Sequence, residues 1–181
     1  MMTFAQWIEN TPFFAYIRGS GYEFPTLLAL HLVGLAFFAG MILITDLRLL
    51  GWGLRGLTIA GVVTTLRWPK RIGFLWVATC GFILAMSKAE GYFLNTFFQI
   101  KIALFFLVLV HAMIFRPTVY NHPEELDKSP EIPGRAKLAG ALSLFLWASI
   151  LTMGRSIGYM NSPGGLHYTE LLKTILKFGL G

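Results

Sequence analysis

The chain is poor in charge. Asp, Glu, Lys and Arg make up 13% of its 181 residues, while 55% are hydrophobic; soluble domains carry roughly 25% charged residues. A soluble protein of this size could not cover so much apolar surface, so lipid is the solvent for most of the chain. Cysteine is nearly absent as well, Cys80 being the single one. One cysteine excludes an internal disulfide, and without a CxxC or CxxCH pair covalent c-type haem is excluded too. Cys80 reads as a small packing residue. There is no GxSxG, HExxH or Walker A motif, and no GxGxxG between a strand and a helix. The broken, inverted helix pairs of secondary transporters are missing, as is any run of carboxylates able to relay protons. The net charge of +6 is no nucleic-acid signal in such a chain, because Lys and Arg here set orientation and touch anionic headgroups.

What the chain does have is long apolar runs. Spans are expected over 24–47, 72–86 (extended at its ends), 97–115 and 138–153, since about 20 helical residues cross about 30 Å of hydrocarbon. The run 57–66 is apolar but short, with Arg55 and Arg67 at its flanks. It reads as an interfacial or re-entrant connector, because about ten helical residues reach only half that thickness. The expected fold is an all-α integral membrane protein, one membrane domain over 1–181 built as a four-transmembrane-helix bundle with interfacial helices at both ends. Residues 1–22 show no basic start and no small-residue cleavage site, and are expected to belong to the mature protein. They are aromatic and amphipathic, as Phe4, Trp7, Phe13 and Tyr16 show. The segment 166–180 sets Leu171, Leu172, Ile175 and Leu176 against Glu170, Lys173 and Lys177. Such segments lie in the headgroup plane.

Basic residues give the orientation. Arg48, Arg55, Arg67, Lys70 and Arg71 lie in the first connector, and Arg116, Lys128, Arg135 and Lys137 in the third. That excess puts both connectors, including the loop 116–136, in the cytoplasm of a bacterial inner membrane and both termini in the periplasm. The four prolines of that loop mark it as a polar linker without a core of its own.

Four residues inside or beside spans could carry chemistry. His31 lies about 10 Å below the outer surface; a titratable ring there is costly and marks a functional site by default. It reads as an axial haem ligand or as a histidine bonded to a neighbouring helix. Lys101 enters from the same side to nearly the same depth, where it either snorkels or pairs with an anion such as a haem propionate. Arg155 shares that level; it suits a propionate clamp or snorkels. His111 lies about 15 Å deeper than Lys101. It is a candidate ligand of a second, cytoplasmic-side site, or a satisfied core histidine. The depths of His31 and His111 differ by about 11 Å, which argues against one haem between them. His122 and His167 read as solvated. Asp46, at the end of the first span, reads as the partner of Arg48, Arg67 or Arg71.

Taken together, Pro25, Leu30-His31, Gly34, Gly40 and the run Asp46-Leu47-Arg48-Leu49-Leu50-Gly51, followed by Ile100-Lys101, Ser143, Trp147 and Gly154-Arg155 with Tyr159, resemble a family of uncharacterised small bacterial inner-membrane proteins with four spans. Leu30-His31 in one span, with Lys101 and His111 in another, is more loosely similar to protoporphyrinogen oxidases of the HemJ type, and more distantly to copper-resistance D and b561-like cytochrome bundles. The HemJ resemblance implies haem or porphyrin binding at His31 and Lys101, and a membrane oxidoreductase as one expectation.

The expected function is therefore a membrane protein holding b-type haem or a porphyrin, in electron transfer or haem metabolism. Candidate cofactor residues are His31, Lys101, His111 and Arg155, with His31 and His111 as metal ligands. Expected partners are the bilayer and a redox partner, a quinone or a larger membrane complex; a homo-oligomer is compatible with the chain. The alternatives are an integral subunit that binds nothing and a transporter or metal-handling protein.

Overall fold

The computed structural model describes residues 3–129 and 131–160, Met160 by its backbone alone. The interfacial helix expected over 166–180, and His167 with it, lie outside the described residues. Ten helical elements and no strand are found among the described residues, and four helices are long and apolar enough to cross a membrane. The protein is a multi-pass, all-α membrane protein.

The chain begins with two short helices, α1 (Phe4–Glu9) and α2 (Pro12–Gly19). Thr3 and Gln6 close a reciprocal capping box on the first, and Pro12 opens the second, where its missing N–H costs nothing. The first span, α3 (Glu23–Leu50), stops at Gly51, whose φ of 77° is left-handed. Only glycine takes that conformation without strain. A seven-residue helix, α4 (Ile59–Thr65), follows, capped by Thr58. Then come the second span α5 (Arg67–Met86), the single turn α6 (Ala89–Phe93) and the third span α7 (Thr96–Phe115), capped by Asn95. The backbone of α7 runs on through a π turn (Arg116–Tyr120) and a 3₁₀ turn (Pro123–Glu125) before the fourth span, α8 (Gly134–Met160).

The four spans stand as neighbours in the order α5–α3–α8–α7, with α3 and α8 central and the side between α5 and α7 without close helix packing. Small residues set the approach. A Cβ on Gly140 of α8 would stand 3.0 Å from the Asp46 carbonyl of α3, and one on Gly34 of α3 would run into the Trp76 ring of α5. Midway along, a chain of rings ties the row together. Phe38 meets Phe74 at 5.9 Å and Trp147 at 4.9 Å, and Trp147 meets Phe105 at 6.2 Å.

Each end of the bundle has its own cover. At the amino-terminal face, α1 packs on α6, with Gln6 Nε2 donating to Glu90 Oε1 at 2.8 Å and the Glu90 amide donating to Glu9 Oε2 at 2.9 Å. At the connector face, Asp127 accepts from the Ile59 and Ala60 amides, both at 2.8 Å, which pins α4 to the last loop.

The structure corrects one expectation here. The segment 116–136 is not a linker without a core: Val119 and Leu126 are fully buried, in one cluster with Leu49, Ile59, Val63, Phe115, Ala136 and Ala139. The prolines shape short turns that fold the segment back over the end of the bundle. Each span is also longer than its apolar run. Hydropathy falls where charged residues begin, but the helical hydrogen bonds continue into the headgroup zone, where stopping would leave backbone groups unpaired.

Candidate functional site

His31 sits eight residues into α3, about 12 Å along its axis, half-buried. Its ring lies against α5: a Cβ on Gly81 would fall 2.9 Å from His31 Cε1, and Val77 offers its backbone to the ring. Nδ1 is buried and has no hydrogen-bond partner. Lys101, from α7, is within electrostatic reach of the imidazole. Its ammonium passes 3.4 Å from where a Cβ on Gly154 of α8 would stand and lies 5.9 Å from the centre of the Phe105 ring. Four spans thus contribute one residue each to a single level: Gly81, His31, Lys101 and Gly154. The two glycines give the imidazole and the amine their room. Among the described residues no carboxylate pairs with Lys101. Among the described residues the level brings together one amine and one imidazole, and no carboxylate pairs with either.

The other two candidates stand elsewhere. His111 Nε2 is 3.0 Å from the Ala139 carbonyl of α8, and its ring packs on Phe115 at 4.9 Å. Ala139 and Gly154 are fifteen residues apart on α8, about 22 Å along its axis, so His111 and Lys101 meet that helix at different levels. The structure brings Lys101, not His111, to His31. Arg155 is exposed; its guanidinium lies 4.6 Å from the Tyr159 ring centre and donates to Tyr159 Oη at 3.0 Å, one turn along its own helix. His122 is exposed beside Glu124.

A second polar group emerges near the connector face that sequence reasoning passed over. Asp46 is 2% exposed and Thr45 1%. The expected partners of Asp46 are engaged elsewhere: Arg48 Nε donates to the Leu57 carbonyl at 2.7 Å, Arg67 Nη2 to the Tyr120 carbonyl at 2.7 Å, and Arg71 stacks on Trp68 at 5.1 Å. The ion pair expected with one of these arginines is therefore corrected. Asp46 instead faces the Ser143 hydroxyl of α8, the Lys70 ammonium of α5 and the Tyr120 phenol of the π turn. Lys70 Nζ donates to Thr45 Oγ1 at 3.1 Å and lies 6.0 Å from the Tyr120 ring centre. A polar residue in the last apolar turns of a span was the available signal. Its partners, on three other elements, were not.

Outside these groups, an open groove of about 480 Å³ runs between α3 and α5, lined by Leu30, Val33, Gly34, Phe37, Pro69, Ile72, Gly73 and Trp76. The lining is apolar, as a lipid-facing surface should be. No group of three or more His, Cys, Asp or Glu able to hold a metal ion occurs among the described residues.

A family model, DUF6644, described as a family of unknown function, matches residues 4–160. No curated protein and no solved structure matches the chain significantly.

Proposed function

From the premise that the chain belongs to DUF6644, a family of unknown function, we propose that it binds a b-type haem or a related porphyrin within the membrane and serves electron transfer or haem metabolism. The observation that carries this reading is the pairing of His31 and Lys101: an unpartnered imidazole nitrogen beside an ammonium that no carboxylate among the described residues pairs with. An isolated cation buried at this level carries a desolvation cost, and an anionic ligand offsets it. A porphyrin brings what the level lacks, carboxylates for Lys101 and, when it holds iron, a metal for a neutral imidazole nitrogen.

In this reading His31 would hold the iron through its imidazole and Lys101 would pair with a propionate. Gly81 and Gly154 leave room for the imidazole and the amine themselves, and the Phe105–Trp147 ring pair supplies apolar surface beside Lys101. Bound haem would supply a one-electron couple; the residues of the chain bind it, orient it and hold its charge. His111, engaged by the Ala139 carbonyl, serves as a helix–helix bond, and Arg155 stays with Tyr159. The excess of basic residues at the connector face supports a cytoplasmic placement of that face in a bacterial inner membrane, with the amino-terminal face outward.

The test is the spectrum of the intact protein, purified in mild detergent from haem-replete cells. The expected result is a Soret band whose α and β bands sharpen on reduction, or porphyrin fluorescence if no iron is held. Either signal is lost in His31→Ala and kept in His111→Ala and His122→Ala. A colourless, non-fluorescent wild-type protein overturns the proposal and favours an integral subunit that binds nothing.

A further inference from the structure

The polar group around Asp46 has no part in the reading above, and its geometry is unusual for a buried acid. Asp46 is 2% exposed, and its Oδ2 has no hydrogen-bond partner. A buried acceptor without a donor costs about 1–3 kcal/mol, and nearly every buried polar atom in a native protein is satisfied. A cation stands close by without closing on it: no Asp46–Lys70 contact within 4.0 Å is among the ion pairs of the described residues, and Lys70 Nζ donates instead to Thr45 Oγ1 at 3.1 Å. The groups facing the carboxyl come from every element packed on it. They are Lys70 on α5, with Arg67 behind it, Tyr120 on the π turn, with His111 6.4 Å from it, and the uncharged Ser143 on α8. α3 itself adds Thr45, whose hydroxyl already donates to the Met41 carbonyl at 2.9 Å.

We propose that Asp46 and Lys70 form a proton-exchange site near the connector face, in which the bare Oδ2 of Asp46 takes up and releases a proton. In the uptake step an O–H bond forms at Oδ2 and an N–H bond of the Lys70 ammonium breaks, leaving a neutral acid beside a neutral amine. The reverse step restores the charges, and no electron moves. Three observations carry this. The acceptor atom is bare, so nothing has to be displaced to protonate it. The donor stands more than 4.0 Å off, held at 3.1 Å by the Thr45 hydroxyl and not locked in a bidentate pair, so its flexible stem has to swing the amine onto Oδ2 for the proton to pass. Lys70 is also only half-buried, so the pair is not sealed off from the connector face. Asp46 stands fifteen residues from His31 on the same helix, about 22 Å along the axis, so the two sites share no residue.

The composition of the chain makes the test clean, because its only aspartates are Asp46 and Asp127. Infrared difference spectra of the intact protein in liposomes, recorded between acid and alkaline pH with carboxyl-¹³C aspartate, isolate their C=O stretch. The expected result is a protonated-carboxyl band that titrates, shifts with the label and in D₂O, persists in Asp127→Asn and disappears in Asp46→Asn. In Lys70→Gln, which removes the nearby cation, proton affinity at the band should rise about tenfold, roughly one pH unit. If Asp46→Asn does not fold, the labelled wild-type, Asp127→Asn and Lys70→Gln spectra still decide the matter. Absence of a label-sensitive titrating band, or its loss in Asp127→Asn, overturns the proposal without touching the spectrum expected at His31.

Discussion

The two polar levels of the bundle handle buried charge in opposite ways. Near the connector face, Asp46 and Lys70 come inside together, with Ser143, Thr45 and Tyr120 around them; a carboxyl and an amine stand near each other without closing into an ion pair. Near the amino-terminal face, Lys101 and His31 come inside with no carboxylate paired to them among the described residues. Burying a charge without a partner is unfavourable in any low-dielectric medium. The difference separates a level that holds both signs of charge within the chain from one where, in the proposed reading, an anionic ligand would supply the missing sign. That is why the binding reading rests on His31 and Lys101 and not on the more fully buried group.

Substitutions that remove one charge from each level sharpen the contrast. The largest effect is expected from Asp46→Leu, which strands the Lys70 ammonium and the Ser143 hydroxyl. Lys70 does not close on the carboxyl, so the loss should fall below the cost of a broken buried pair, about 3–5 kcal/mol. Denaturant unfolding in detergent should show about 1–3 kcal/mol, the cost of leaving a buried polar group without its counterpart. A loss below about 1 kcal/mol would mean that the two groups are not energetically coupled. Lys101→Met should act the other way on ligand-free protein. It removes an unbalanced cation at little cost in volume, so stability should be unchanged or rise by about 1 kcal/mol, while ligand retention falls. A clear loss of stability in the ligand-free variant would reveal a partner for Lys101 within the chain and erase the contrast.

The smallest effect belongs to the exposed pair Glu125 and Lys128, whose charged atoms are 2.6 Å apart. The ammonium holds the Glu125 carboxyl below the usual carboxylate range, and Glu125 raises the Lys128 amine in turn. A depressed acid contributes stability above its unfolded-state value and loses it as pH falls; a raised base contributes below its unfolded-state value and loses it as pH rises through the folded one. Glu125→Gln should therefore lower the Tm slightly near neutral pH and not in acid. The difference should vanish in high salt, as it does for exposed pairs. A shift that survives salt would show the loop to be held by this pair and not by Asp127 and the buried Leu126.

Much of the frame was legible from hydropathy alone, since nothing but a helix buries a long apolar run in lipid with its backbone satisfied. Depth was legible too. Counting residues from the span ends puts Lys101 and not His111 beside His31, because rise per residue is nearly constant in a helix. Azimuth was not. Which way a side chain points around the bundle axis depends on which helices are neighbours, and the order α5–α3–α8–α7 is written in contacts between small residues such as Gly140 against Asp46. Arg155 therefore shared the right level in the sequence yet stands on Tyr159, and Asp46 met Ser143 and Lys70 in place of the nearest arginines. The buried turns at Val119 and Leu126 escaped for a related reason: a few apolar residues among prolines look like a linker until α4 supplies the surface they cover.

The central position of α8 also bears on how the molecule is made. A chain inserted in order of synthesis lays down the α3–α5 hairpin first, so His31 finds Gly81 early. Lys101 then enters on α7 before the helix that carries Gly154 exists. It lies only five residues from the start of α7, about 7.5 Å along the axis, and its flexible stem can hold the ammonium at the headgroups in the meantime. The inward turn of that amine waits for the last span. Nascent chains ending before α8 should leave Lys101 open to water-soluble amine reagents, whereas chains that include α8 should shield it, so its labelling reports completion of the bundle during biogenesis.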